Sequence, residues 1–284
     1  MKKLSTRIGD YVKAVAAVAA GRVIAGRRLT VLPGDVFIVS YPKSGNTWAR
    51  FLIGNLAHDE PVTFANVEAL VPSIYVHPDR VLRRLPRILK SHECFDPRYR
   101  KVIYIARDPR DVAVSYYHHC IKMRWLSDQC SLDEFVPRFM APEFEINFGT
   151  WSDHLMSWLG TRRDSDNFLF LRYEDLIEEP QRELAAVAAL LNVDAAPQRL
   201  QRAIALSSAD RMRDLEKQQG EQWELIKESR KDKSFVRSAK AGGWRKALSP
   251  QSAALIEAAW GPVMESVGYK LSASDAQETT IRSR

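Results

Sequence analysis

The chain has 284 residues, 45% hydrophobic and 27% charged, a composition that supports one large folded core and excludes a disordered or membrane-embedded protein. Its formal net charge of +7 comes from 42 basic and 35 acidic residues, and the two signs are intermixed, so the dense basic patch that nucleic acid requires is missing. Three scattered cysteines, Cys94, Cys120 and Cys130, argue against a disulfide framework or a zinc site and for a reducing, cytoplasmic setting.

In chain order, Lys2, Lys3, Arg7, Lys13, Arg22, Arg27 and Arg28 surround an alanine- and valine-rich stretch at residues 14–20. That stretch is too short and too interrupted by charge to span a bilayer. We expect a basic helical extension over residues 1–34 that lies on the domain, with a cleaved signal or peripheral membrane contact as alternatives. No linker, repeat or low-complexity tract divides the remainder of the chain. A single domain is expected over residues 35–270, with a polar tail over 271–284.

Phe37-Ile38-Val39-Ser40 is an apolar, β-branched run that predicts a buried strand, and Trp48, Phe51, Leu52, Ile53 and Leu56 then recur at helical spacing. Lys43 to Asn46 must therefore turn from strand to helix. There the free backbone N–H groups and the helix dipole favour a phosphate or sulfate, and Lys43, Ser44 and Thr47 add side-chain donors. A triphosphate P-loop places its lysine after the last glycine, whereas Lys43 precedes Gly45, which disfavours triphosphate chemistry. The plain alternative is an ordinary turn that happens to hold a lysine.

A second strand is expected at Arg87-Ile88-Leu89-Lys90-Ser91-His92, with Lys90 and His92 on one side at its C-terminal end, where open α/β sheets bind ligands. A histidine there can take a proton from an attacking hydroxyl while the ammonium stabilises negative charge; otherwise it is a hydrogen-bonded strand-end residue. A third strand, Lys101 to Ala106, leads into Arg107, with Asp108 as cap and Pro109 in the first turn of a helix that carries Ser115. His118 and His119 lie late in that helix, and with His58, His77 and His154 they read as structural or surface residues. A fourth strand, Phe168 to Arg172, precedes Tyr173-Glu174-Asp175. The segment Lys217 to Lys233 is densely charged with little apolar periodicity, which predicts a mobile lid or surface loop. Strands alternating with amphipathic helices imply an α/β fold, a central parallel sheet flanked by helices.

Ser40-Tyr41-Pro42-Lys43-Ser44-Gly45-Asn46-Thr47-Trp48 closely resembles the 5′-phosphosulfate loop of sulfotransferases that use 3′-phosphoadenosine 5′-phosphosulfate (PAPS), with Asn46 where that family usually has threonine. Five later segments occur in the family's order. Lys90-Ser91-His92 resembles its Lys-Ser/Thr-His, which makes His92 the general base. Arg107 and Ser115 match the pair that binds the donor's 3′-phosphate, for which a guanidinium fork is suited. Tyr173, Ser207, Ser208 and Met212 match its adenine site, with Ala209 in place of the usual aromatic. Arg237, Gly242 and Trp244 match its late loop, but Ser238, Ala239 and Gly243 replace the usual Lys, Gly and Asp, so one cationic contact is missing unless Lys240 supplies it.

The resemblance spans roughly residues 35–270 and implies a P-loop-like sulfotransferase fold. It further implies sulfuryl transfer from PAPS to a small hydroxyl acceptor, His92, Lys43 and Lys90 in the chemistry, and no metal. The donor set is Lys43, Ser44, Gly45, Asn46, Thr47, Trp48, Arg107, Ser115, Tyr173, Ser207, Ser208, Met212, Arg237, Ser238 and Ala239. Residues 64–75, Phe95 and residues 142–148 are the expected acceptor loops, aromatic enough for a hydrophobic alcohol or phenol. A P-loop nucleotide kinase or a non-catalytic nucleotide-binding module are the alternatives. Monomer and homodimer both stay open.

Overall fold

The strands are apolar on both faces because both faces are covered. Val36 and Ile38 point to one layer and Phe37 and Val39 to the other, and Ile103 and Ile105 alternate with Val102 and Tyr104 in the same way. The computed structural model describes residues 30–76, 87–144, 146–223, 225–237 and 240–272. The expected N-terminal helix, His77, Ser238, Ala239 and the tail beyond Ser272 lie outside the described residues.

The elements run β1 (Val36–Ser40), α1 (Asn46–Ala57), α2 (Val67–Leu70), β2 (Ile88–Ser91), β3 (Lys101–Ala106), α3 (Pro109–Lys122), α4 (Leu132–Met140), α5 (Trp151–Arg162) and β4 (Phe168–Arg172). Then come α6 (Tyr173–Glu178), α7 (Pro180–Leu191), α8 (Pro197–Leu206), α9 (Ala209–Gln219), α10 (Trp244–Ala247) and α11 (Pro250–Ser266). All strands are parallel, in the order β2-β1-β3-β4. The order reverses between β1 and β3, so their crossover connections leave in opposite directions and a crevice opens beyond their C-terminal ends.

Local chemistry sets the element starts. Asp108 caps α3 by accepting from the Arg110 N–H, and Pro109 takes the first helical position, where its missing N–H costs nothing. Ser131 with Glu134, and Thr150 with Asp153, close reciprocal capping boxes on α4 and α5. One layer packs α3, α4, α5 and α11 on the sheet through Trp151, Trp158 and Trp260; the other packs α1, α7 and α8 through Phe51, Leu52, Leu184 and Ala203.

The charged segment after α9 departs from the expected solvated loop. Trp223 and Ile226, three residues apart, are buried in the α1 layer, and the Trp223 indole donates to Glu68 Oε1 at 3.1 Å. Two apolar anchors suffice to fasten an otherwise polar segment.

Glu68 also accepts from the Ser73 N–H and from Arg50, whose fully buried guanidinium donates to the Val71 carbonyl. Burial pushes the Glu68 carboxyl up, but the Arg50 charge and these bonds outweigh it and hold it below its usual value. Removing one partner of such a pair strands the other in a low dielectric. Arg50→Met is therefore expected to lower the unfolding free energy by about 3–5 kcal/mol, a loss that urea denaturation would register as a shifted midpoint at unchanged slope.

Candidate active site

The C-terminal ends of all four strands converge on one cleft of ≈ 550 Å³. Pro42 to Trp48 form its floor after β1, Lys90 and His92 mark the end of β2, Arg107 comes after β3 and Tyr173 after β4.

The turn after β1 is shaped to present backbone N–H groups. Lys43 and Gly45 both take left-handed backbone angles, φ 67 and 92°, and the first turn of α1 carries no acidic residue to neutralise its positive end. At Gly45 a Cβ would lie 2.5 Å from Tyr173 Cδ2, so only glycine fits between the turn and that ring. Asn46 turns its amide inward, donating to Ser40 Oγ at 3.1 Å and the Ile38 carbonyl at 3.3 Å, which ties the start of α1 to the end of β1. Ser44 Oγ, Asn46 Oδ1 and Arg107 Nε are buried without a hydrogen-bond partner among the described residues. The Ser44 hydroxyl and the Arg107 Nε–H suit a bound oxyanion, whereas the Asn46 oxygen can only accept and suits a water.

His92 is held at three points. Its backbone N–H donates to Tyr75 Oη at 2.7 Å, its carbonyl accepts from His154 Nε2 at 3.0 Å, and its Nδ1 donates to the Ser40 carbonyl at 2.7 Å. The last bond fixes the tautomer: with the proton on Nδ1, Nε2 keeps its lone pair. Burial, then the Lys90 charge, hold the imidazole well below its usual pKa, against the opposing pull of the Ser40 carbonyl. It is neutral at physiological pH and equipped to accept a proton. His154, fully buried and held down to about 4 by burial, has the structural role the sequence implies: its Nδ1 accepts from the Tyr104 hydroxyl and its Nε2 steadies the His92 backbone.

A second cationic group sits beside the turn. Arg107 donates to the carbonyls of Lys43 and Lys240, each at 3.3 Å, with its guanidinium 4.3 Å above the Tyr173 ring. Arg237 shares the cleft, and desolvation followed by the Arg107 charge lowers its pKa. Two guanidiniums in mutual repulsion define a place for a dianion. Ser115 faces the same cleft from α3. Asp111 accepts from the Gly242 and Trp244 N–H groups at 2.7 and 2.9 Å, which anchors the late loop to the start of α3. Lys240 is exposed and meets Arg107 through its carbonyl.

Trp48, Tyr173, Ser207, Ser208 and Met212 also line the cleft. The Trp48 indole donates to the Ser207 carbonyl at 2.9 Å and meets Tyr173 edge-on, so two rings flank the space where Ala209 offers none. The Ser207 hydroxyl is already bonded to Asn55 Nδ2, and the Ser208 hydroxyl caps α9 through the Arg211 N–H. In each of these bonds the serine oxygen accepts, so its O–H is left to donate, whereas the Ser207 and Ser208 N–H groups are already given to the Ile204 and Ala205 carbonyls.

The structure gathers Lys43, Gly45, Asn46, Thr47, Trp48, Lys90, His92, Arg107, Ser115, Tyr173, Ser207, Ser208, Met212 and Arg237 around the cleft, with Ser44 directly beneath them. It also adds residues the sequence did not single out. His119, expected to be structural or at the surface, lines the cleft with Met123, Trp125, Trp223, Leu225, Phe235 and Val236. The expected acceptor loops contribute less: Phe64 is buried against Phe51 and Trp223, and Phe95 packs on Trp158, while Tyr75 and Phe148 surround the His92 ring.

The family model described as the sulfotransferase domain matches residues 33–268. The chain is 30% identical to sulfotransferase 1B1 of Mus musculus, over 64% of this chain and 66% of the relative. It is 29% identical to the Canis lupus familiaris 1B1 protein over 75% and 77%, and 33% identical to human sulfotransferase 2B1 over 55% and 46%. The chain thus spans between about half and three quarters of these relatives' length. Its fold is similar to retinol dehydratase crystallised with androsterone and the inactive cofactor PAP (TM-score 0.69, 20% identity, 87% of this chain and 85% of the other). It is also similar to a mouse sulfotransferase complexed with PAP (TM-score 0.61, 22% identity, 81% and 84%).

The contact at Gly45 gives a direct test of the turn. Gly45→Ala is expected to cost about 1–2 kcal/mol for the left-handed backbone and about 1–3 kcal/mol for the ring contact. Combining it with Tyr173→Ala should recover the second part alone. A double-mutant cycle from denaturant curves measures this, and simple additivity would mean that the turn and the ring do not press on one another.

Proposed function

The chain belongs to the sulfotransferase family, and on that footing we propose that it moves the sulfuryl group of PAPS to the hydroxyl of a small, hydrophobic alcohol or phenol, with His92 as general base. The observation that carries this is the pinned His92 imidazole: its Nδ1 is committed to the Ser40 carbonyl, and its Nε2 lone pair is left for a cleft crowded with positive charge.

In the proposed step the acceptor oxygen attacks sulfur in line with the bridging oxygen of the 5′-phosphate. A new S–O bond forms, the bond from sulfur to that bridging oxygen breaks, and the hydroxyl proton passes to His92 Nε2. A sulfate ester and adenosine 3′,5′-bisphosphate result. Charge spreads over the equatorial oxygens, so positioning and electrostatics carry the rate. Lys43 and the N–H groups of the turn would stabilise the leaving phosphate, with Lys90 beside His92. Arg107, Ser115 and Arg237 would hold the 3′-phosphate, and Trp48, Tyr173, Ser207, Ser208 and Met212 the adenine. The unmatched Ser44 Oγ and Arg107 Nε fit an anionic donor of this kind. Ser238 and Ala239 join the donor set by sequence correspondence alone.

Among the described residues no helix is long and apolar enough to cross a membrane. A small-molecule acceptor in the cytoplasm is the setting we propose, with membrane contact through residues 1–34 as the second possibility.

His92→Ala should lower kcat by about 10²–10⁴ toward a poorly acidic alcohol and leave the calorimetric Kd for adenosine 3′,5′-bisphosphate nearly unchanged. Wild-type turnover in that variant would remove His92 from the chemistry. Because the folded-state pKa of His92 lies below the ordinary 6.5, its base form persists as pH falls through that value. The acid limb of kcat/KM is therefore expected below pH 6.5, and a limb at or above it would contradict the assignment.

Lys43 and Arg107 should separate. Lys43→Ala is expected to depress kcat more than it weakens adenosine 3′,5′-bisphosphate, since its contact strengthens as charge reaches the leaving group. Arg107→Ala should chiefly weaken the nucleotide, by about 1.5–3 kcal/mol for a charge-assisted bond, and far less for adenosine 5′-phosphosulfate. Paired titrations and single-turnover rates distinguish these patterns, and equal losses in both variants would refute the division of roles.

A further inference from the structure

Two imidazoles line the cleft, and the step above uses one of them. His119 lies one helical turn beyond Ser115 on α3, so both side chains fall on the same face. Its ring meets Trp125 edge-on at 5.4 Å and lies 6.2 Å from that of Tyr116. Met123, Trp125, Leu225 and Phe235 line the same cleft, with the Lys43 ammonium 5.0 Å from the Phe235 ring, and Trp125 is 47% exposed. No ring nitrogen of His119 hydrogen-bonds to another described residue.

This differs from His92 in a decisive way. A general base is oriented by a partner on its second nitrogen, as Ser40 orients His92; His119 has no such partner among the described residues to fix its tautomer. It is therefore poorly suited to a proton-transfer role. Burial, then the Lys43, Lys122 and Lys90 charges, keep it neutral, so it offers one donor and one acceptor to whatever enters the cleft.

We propose that His119 is a specificity-determining residue that hydrogen-bonds a second polar group of the acceptor, other than the hydroxyl that is sulfated. The preferred acceptor is then an apolar alcohol or phenol that also carries a carbonyl, amide or further hydroxyl. This rests on the sulfotransferase reading and sharpens its substrate class.

The test compares 2-naphthol with 6-hydroxy-2-naphthamide as acceptors for labelled PAPS, using the full chain, His119→Phe and His119→Gln. Adenosine 3′,5′-bisphosphate affinity is measured alongside. The wild-type protein should prefer the amide in kcat/KM. His119→Phe should lower that preference by about three- to tenfold, the worth of one neutral hydrogen bond, while nucleotide affinity holds. His119→Gln, which keeps a donor and an acceptor, should restore part of it. A preference ratio equal in all three proteins overturns the proposal, as does an equal loss for both acceptors in His119→Phe. If the wild-type protein neither binds adenosine 3′,5′-bisphosphate nor transfers label to any acceptor, the sulfotransferase reading falls first and takes this inference with it.

Discussion

The cleft is held together by Arg107, which touches three separate parts of the chain. Its guanidinium reaches the carbonyl of Lys43 in the turn after β1, the carbonyl of Lys240 in the late loop, and the face of Tyr173 after β4. Tyr173 in turn presses on Gly45, and Asp111, four residues beyond Arg107, fastens the same late loop through two backbone N–H groups. Segments that are 64 and 133 residues from Arg107 are thereby brought to one place.

The choice of partners around the cleft has an electrostatic consequence. Arg107 and His92 are positioned by backbone carbonyls, and Trp48 likewise by the Ser207 carbonyl. A carbonyl orients a donor without cancelling its charge. Away from the cleft the buried arginines are paired differently: Arg87 with Asp35 at 2.6 Å, and Arg110 with Asp108 and Glu257 at 2.6 and 2.5 Å. Those guanidiniums are compensated by carboxylates and serve the fold. Arg107 and Arg237 repel one another in the cleft, an effect that nearby Asp111 opposes in part and a polyanionic ligand would offset further.

Much of this was legible in the sequence because it depends on short-range order. The apolar run ending at Ser40 and the periodic residues from Trp48 define a strand, a turn and a helix without reference to the rest of the molecule. Asp108 and Pro109 announce the start of α3 in the same way. What was hidden depends on which face of an element meets which neighbour. His118 and His119 are adjacent in sequence, yet His118 is exposed and His119 faces the cleft. The four-residue step from Ser115 to His119 was the available signal, hidden because adjacent histidines on a helix look interchangeable. Trp223 and Ile226 were obscured by the charged residues around them, since two anchors make no periodic pattern. Phe64 reads as an acceptor-side residue because aromatic content alone cannot tell a pocket wall from a core.

The division between strand ends and helix face bears on how the two substrates are read. The proposed donor-binding groups Lys43, Arg107 and Tyr173 stand within a residue or three of strand termini, so the hydrogen-bonded sheet limits their movement. The proposed acceptor wall draws on the end of α3 and on residues 223–236, where side chains can change without disturbing strand pairing. The two meet on α3, whose first turns hold Asp111 and Ser115 and whose last turn holds His119. Replacing His119 or Met123 would therefore alter the acceptor compartment while leaving the carbonyl-oriented cations in place. In such a scaffold three of the proposed donor anchors are set by the sheet, and the proposed acceptor choice by the side chains of one helix face and one anchored segment.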